Sequence, residues 1–119
     1  MQLKHFDAGV RQLTDLAVID LHGEINALAE ESLDRAYTEA TQRDPRRILL
    51  NFTGATYINS TGLALLVGML ARARKQHRSV AAFGLSDHYR EIFEITRLAD
   101  FMSIAADEAS ATLEAVVGP

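Results

Sequence analysis

The segment Arg47-Ile48-Leu49-Leu50-Asn51-Phe52 is almost continuously apolar and no longer than a strand. Such a run suits a central strand covered on both faces, so the chain must supply packing layers above and below it. Its neighbours have the patterns to do so. Leu13 to Leu21 reads LTDLAVIDL, where Leu16, Val18 and Ile19 mark a second strand buried on both faces, ended by His22-Gly23. A shorter strand near Leu3 to Phe6 precedes it, across a turn at Asp7-Ala8-Gly9. From Ala27 to Arg43, Leu28, Leu33, Ala36, Tyr37 and Ala40 recur at helical spacing, and the helix stops before Asp44-Pro45.

After Phe52, Thr53-Gly54-Ala55 is expected to turn the chain, and Tyr57-Ile58 to close a short extended piece. Ser60 and Thr61 supply cap chemistry for a helix from Thr61 to His77. Ser79 to Phe83 is a short strand, Ser86 caps a helix reaching about Thr96, Phe101 to Ile104 is a last strand, and Asp107 opens a helix ending by Gly118. The order β-β-α-β-α-β-α-β-α predicts an α/β fold, a mixed central sheet of about five strands with about four helices packed on it. No repeat, low-complexity stretch or linker divides the chain, so residues 1–119 are expected to form a single domain.

Several function classes fall away. The formal charge of −4 argues against binding nucleic acid through phosphate neutralisation, and the cluster Arg72, Arg74, Lys75, His77 and Arg78 reads as a solvated helix end. Without cysteine there is neither a disulfide nor a thiolate metal site. The start, Met1 to Asp7, lacks the apolar core of a signal peptide, and the apolar run Leu63–Ala71 is too short to span a bilayer. A cytoplasmic protein without membrane insertion is the expectation. There is no G-x-S-x-G elbow, no HExxH and no Gly-rich phosphate loop ending in Gly-Lys-Ser/Thr. His5, His22, His77 and His88 lack metal-ligand spacing, and Glu24, Glu30 and Glu31 face no paired nucleophile. The expectation is therefore a protein that is not an enzyme and carries no cofactor or metal.

The most informative stretch is Ile48 to Leu66, ILLNFTGATYINSTGLALL. It resembles the STAS domain pattern of an apolar strand, a short turn, an aromatic–aliphatic pair, and Asp-Ser-Ser/Thr-Gly-Leu opening a helix, here Asn59-Ser60-Thr61-Gly62-Leu63. Leu21-His22-Gly23-Glu24-Ile25-Asn26 is similar to the family's L-x-G-E-[LI]-D, and Phe93 to Phe101 to its stretch before the last strand. The resemblance implies a single STAS domain of the bacterial anti-sigma factor antagonists (anti-anti-sigma factors), which act in transcription regulation by partner switching. It implies a phosphoprotein whose partner is an anti-sigma factor that is itself a serine kinase, captured while the serine is unphosphorylated and released afterwards. That serine maps onto Ser60, with Asn59, Thr61 and Gly62 as the switch loop. A weak homodimer is a further expectation. The alternative is a constitutive STAS binding or scaffold subunit, of a lipid-transport, transporter-regulating or stress-sensing complex, whose Ser60 is never phosphorylated.

The physics of position 60 stands beside the resemblance. A hydroxyl at a helix start lies near free backbone N–H groups and the positive end of the macrodipole, so a phosphate there meets donors without unfolding the domain. The plainer reading is an N-cap, worth typically ~1 kcal/mol. In the helix that follows, Leu63, Leu66, Val67, Leu70 and Ala73 should meet the sheet, leaving Ala64, Leu65, Gly68, Ala71 and Arg72 opposite, with Leu65 an apolar side chain lacking an internal partner. Glu24, Asn26, Ala64, Leu65, Gly68 and Arg72 are the expected partner-binding residues; against this, Ala and Leu are simply good helix formers and Gly68 could be merely tolerated. Asn26 and Asn59 stand where the family commonly has Asp, which removes negative charge near the proposed phosphate and also a group the kinase could need. Arg97 stands where the family often has Gly; in a left-handed conformation it would carry a steric cost.

Overall fold

The computed structural model describes residues 6–117. The elements are β1 (Asp7–Leu13), β2 (Leu16–Ile25), a 3-10 turn (Ala27–Ala29), α1 (Glu30–Ala40), β3 (Arg47–Ile58), α2 (Ser60–Lys75), β4 (Ser79–Phe83), α3 (Asp87–Ile95), a second 3-10 turn (Leu98–Asp100), β5 (Ser103–Ile104) and α4 (Glu108–Val117). They build one sheet in the order β1-β2-β3-β4-β5. β1 pairs antiparallel with β2, and the other neighbours are parallel, each reached through a helical crossover. The α/β order and mixed sheet expected from the sequence are what forms.

The apolar run that opened the argument is buried on both faces. Ile48, Leu50 and Phe52 join Ala17, Ile19, Leu21, Val80 and Ala82 beneath residues of α1, α2 and α3 such as Tyr37, Leu66 and Phe93. Leu49 points the other way, with Leu16, Val18, Ala81 and Phe83, against Ala111 of α4. Alternate residues thus serve opposite layers, as the strand period requires. α4 is also held by charge. Arg11 of β1 reaches Asp20 of β2 at 2.7 Å and Glu108 at the start of α4 at 2.7 Å. The Arg11 guanidinium, helped by a hydrogen bond from Asn51, holds the Asp20 carboxyl below the usual carboxylate range against the opposing effect of burial.

Five boundaries depart from expectation. Asp7-Ala8-Gly9 is not a turn: these residues pair with His22, Leu21 and Asp20 inside β1. Of the strand expected at Leu3–Phe6, Leu3 to His5 lie outside the described residues. The hairpin turns instead at Thr14-Asp15, between paired Leu13 and Leu16, with Asp15 at φ 62, a left-handed conformation that Asp tolerates better than most residues. Nor do His22-Gly23 and Thr53-Gly54-Ala55 end their strands, because β2 and β3 run on together with shifts in register to a final pair, Ile25 with Ile58. At Gly54 a Cβ would run into the His22 ring and the Leu21 carbonyl, so glycine marks a close approach between strands. The first predicted helix is shorter than Ala27–Arg43, ending at Ala40, and the last strand is reduced from Phe101–Ile104 to Ser103–Ile104. Arg97 does adopt the left-handed conformation, at φ 67, and its Nε pairs with Asp100 Oδ2 at 2.6 Å. Among the described residues no helix is long and apolar enough to cross a membrane.

Candidate functional site

Because β2 and β3 are parallel and end on the Ile25–Ile58 pair, Asn26 and Asn59 leave the sheet side by side. The Asn59 amide donates to the Ile25 carbonyl at 3.2 Å, tying the two exits together. Each asparagine then caps a helical turn: Asn26 Oδ1 accepts from Leu28 N at 2.9 Å, and Asn59 Oδ1 accepts from Gly62 N at 2.8 Å. An amide oxygen does this as a carboxylate would, without bringing charge.

The cap at the head of α2 is therefore Asn59, not Ser60 or Thr61 as the sequence suggested. Both of those are exposed in the first turn of the helix. Ser60 Oγ has no hydrogen-bond partner among the described residues. The first intrahelical bond is Leu63 N to Asn59 O, at 2.9 Å, so the Ser60 and Thr61 amides lie ahead of it, at the positive end of the helix. Gly62, placed by the sequence in a switch loop, is buried in this first turn, and a Cβ there would collide with the Ile25 carbonyl. The residue is glycine because the helix head is pressed against the end of β2.

One contributor gave no sequence signal. Tyr89 Oη, from α3, accepts a hydrogen bond from Ile58 N at 2.9 Å, fixing the last residue of β3 from the far side. Tyr89 is itself anchored by its amide, which donates to the capping Ser86 Oγ at 3.2 Å, as the cap read from the sequence requires. A tyrosine in the first turn of a helix is unremarkable locally, and its target is 31 residues away.

The expected partner face is partly redrawn. Ala64 and Gly68 are exposed, and a Cβ at Gly68 would meet nothing within 4 Å. Leu65 does have internal company: it is half-buried and packs against the core. Val67, expected against the sheet, is 50% exposed, and Met69 takes the buried place at 7%. The buried arc of α2 is thus Leu66, Met69, Leu70 and Ala73, rotated toward α1. Arg72 is engaged within the protein, with Nη1 2.6 Å from Asp34 Oδ1 of α1 and its guanidinium 4.6 Å from the centre of the Tyr37 ring. Burial pushes the Tyr37 hydroxyl above its ordinary pKa, and that hydroxyl donates to Gln76 Oε1 at 2.8 Å. Glu24 sits opposite Tyr57 in the β2–β3 pairing, one residue before the end of the ladder. Between α1 and α2 runs an open trough of about 750 Å³.

Comparison with known proteins places this arrangement. Residues 7–111 match the sequence profile of the STAS domain. The anti-sigma-B factor antagonist of Staphylococcus aureus (strain NCTC 8325 / PS 47) is 31% identical over 86 residues, covering 72% of this chain and 80% of its own length. An anti-sigma factor antagonist from Mycobacterium paratuberculosis has the same fold, with a TM-score of 0.78 at 16% identity over 92% of each chain. The antagonist SpoIIAA in its unphosphorylated form superposes with a TM-score of 0.71 at 19% identity over 94% of this chain and 99% of its own. In its phosphorylated form the Bacillus protein gives 0.67 at 22% identity over 92% and 98%.

Proposed function

The chain belongs to the STAS domain family, and from that premise we propose that it is an anti-sigma factor antagonist, a protein-binding switch and not an enzyme, controlled at Ser60. The observation that carries this reading is the division of labour at the head of α2. Asn59 does the capping, which leaves the Ser60 hydroxyl exposed and unengaged beside amides with no helical acceptor. A phosphate on Ser60 adds about −1.5 to −2 charges at neutral pH and meets donors already in place. SpoIIAA keeps this fold in both phosphorylation states, which supports a modification read by a partner and not by unfolding.

The partner is an anti-sigma factor; in the finer reading it is also the serine kinase, which the chain captures before phosphorylation and releases after. The neutral asparagines suit the phosphate, since neither Asn26 nor Asn59 opposes it with a like charge. The same Asn59 favours a second reading, a constitutive STAS binding subunit, if the kinase requires a carboxylate there. One experiment decides between them. The chain is incubated with ATP and the candidate anti-sigma factor kinase, then digested and weighed. A phosphate mass shift on the peptide containing Ser60, absent in Ser60→Ala, supports the switch; no shift with a kinase that binds the chain supports the constitutive subunit.

A further inference from the structure

Gly68 sits mid-helix, where glycine is a poor choice, and a Cβ added there would meet nothing within 4 Å beyond its own helix backbone. Internal packing therefore gives no reason for it, and the space it leaves opens into the trough between α1 and α2. The floor of that trough is apolar, made by Leu33, Tyr37 and Met69 with half-buried Leu65. At its mouth, next to Asn26, Leu28 is 89% exposed. The α1 wall carries Glu30, Glu31 and Asp34. The basic groups facing them are Arg72, held by Asp34 at 2.6 Å, and Arg35, 3.7 Å from Glu31. Glu30 has no ion-pair partner among the described residues. The wall is left net acidic.

We propose that this trough seats a basic amphipathic helical segment of the partner, its apolar side against Leu65 and Met69, its backbone passing close over Gly68, and its Lys or Arg side chains along the α1 wall. From Ala64 to Arg72 the α2 wall is about 12 Å long, room for about two turns of a helix. Charge complementarity selects the occupant: an acidic segment would be repelled by the net acidic wall, most directly by Glu30. The identity of the partner rests on the antagonist reading; the chemistry of the seat does not.

Two synthetic helical peptides of about 14 residues (~21 Å of helix) share one Leu/Ala face and differ only in a Lys or a Glu rim. Each is titrated into the isotopically labelled full chain by NMR. The Lys-rimmed peptide should shift the Leu65, Gly68 and Glu30 amides to saturation, and the Glu-rimmed peptide should not. Gly68→Leu fills the trough without changing charge, and the double variant Glu30→Lys/Glu31→Lys reverses the wall. Each should weaken the Lys-rimmed peptide by about tenfold or more, roughly the 1.4 kcal/mol that a factor of ten represents. Equal binding of both peptides, or unchanged binding to Gly68→Leu, overturns the proposal.

A parallel arm uses a purified anti-sigma factor that captures the wild-type chain. Release by Ser60→Asp with capture by Gly68→Leu unchanged defeats the trough and spares the switch. Weakened capture by Gly68→Leu with Ser60→Asp still bound does the reverse.

Discussion

α2 and α3 begin in the same way and use their serines differently. At the head of α3, Ser86 is the cap, its hydroxyl accepting the Tyr89 amide at 3.2 Å. At the head of α2, the residue before the serine caps, through Asn59 Oδ1 and Gly62 N at 2.8 Å, and Ser60 is left one position inside the helix with its hydroxyl exposed. A one-residue offset converts a structural hydroxyl into an available one. The heads also differ in their surroundings: that of α2 is pressed on the Ile25 carbonyl through Gly62.

The contrast can be broken in several places. Gly62→Ala should cause the largest loss, about 3 kcal/mol by overpacking against the β2 backbone, measured by chemical denaturation. A loss below about 0.5 kcal/mol would mean the helix head moves freely and the tight seating is wrong. Ser60→Asp should weaken capture of the anti-sigma factor by about tenfold or more, ~1.4 kcal/mol, with stability nearly unchanged, read by calorimetry and thermal melting. Ser86→Ala and Asn59→Ala should each cost about 1 kcal/mol, the usual value of a cap, and Ser86→Ala should leave capture intact. Ser60→Ala should be the quietest, within about 0.5 kcal/mol of wild type in stability. If it costs as much as Ser86→Ala, Ser60 is a cap after all and the comparison between the two helices dissolves.

The sequence carried the architecture further than the site's details. β4 runs over Ser79–Phe83 as its short apolar run predicts, and Gly84, at φ 79, ends it. The pattern around Gly54 predicts a turn, yet β3 runs on to Ile58 because Gly54 is a contact between strands. Which of Asn59 and Ser60 caps α2 is equally undecidable from propensity, since both are good cappers. The choice is made by the Ile25–Ile58 pair and by the Tyr89 hydroxyl, which fix where the strand stops. Val67 faces outward and Met69 inward because the rotation of α2 depends on the neighbouring helices, and the Asp34 that engages Arg72 lies 38 residues away in sequence. Local pattern names the elements; distant contacts set their ends and their rotation.

The amide at position 59 has one more consequence. A carboxylate in that post would take up a proton in strongly acidic solution and loosen its hold on the Gly62 N–H, whereas the carboxamide has nothing to titrate. The entrance to α2 therefore keeps its shape across the acid range in which an aspartate would fail. Any acid sensitivity in what this protein grips must then originate away from this cap, in the carboxylates of the α1 wall, the phosphate or the partner's own groups.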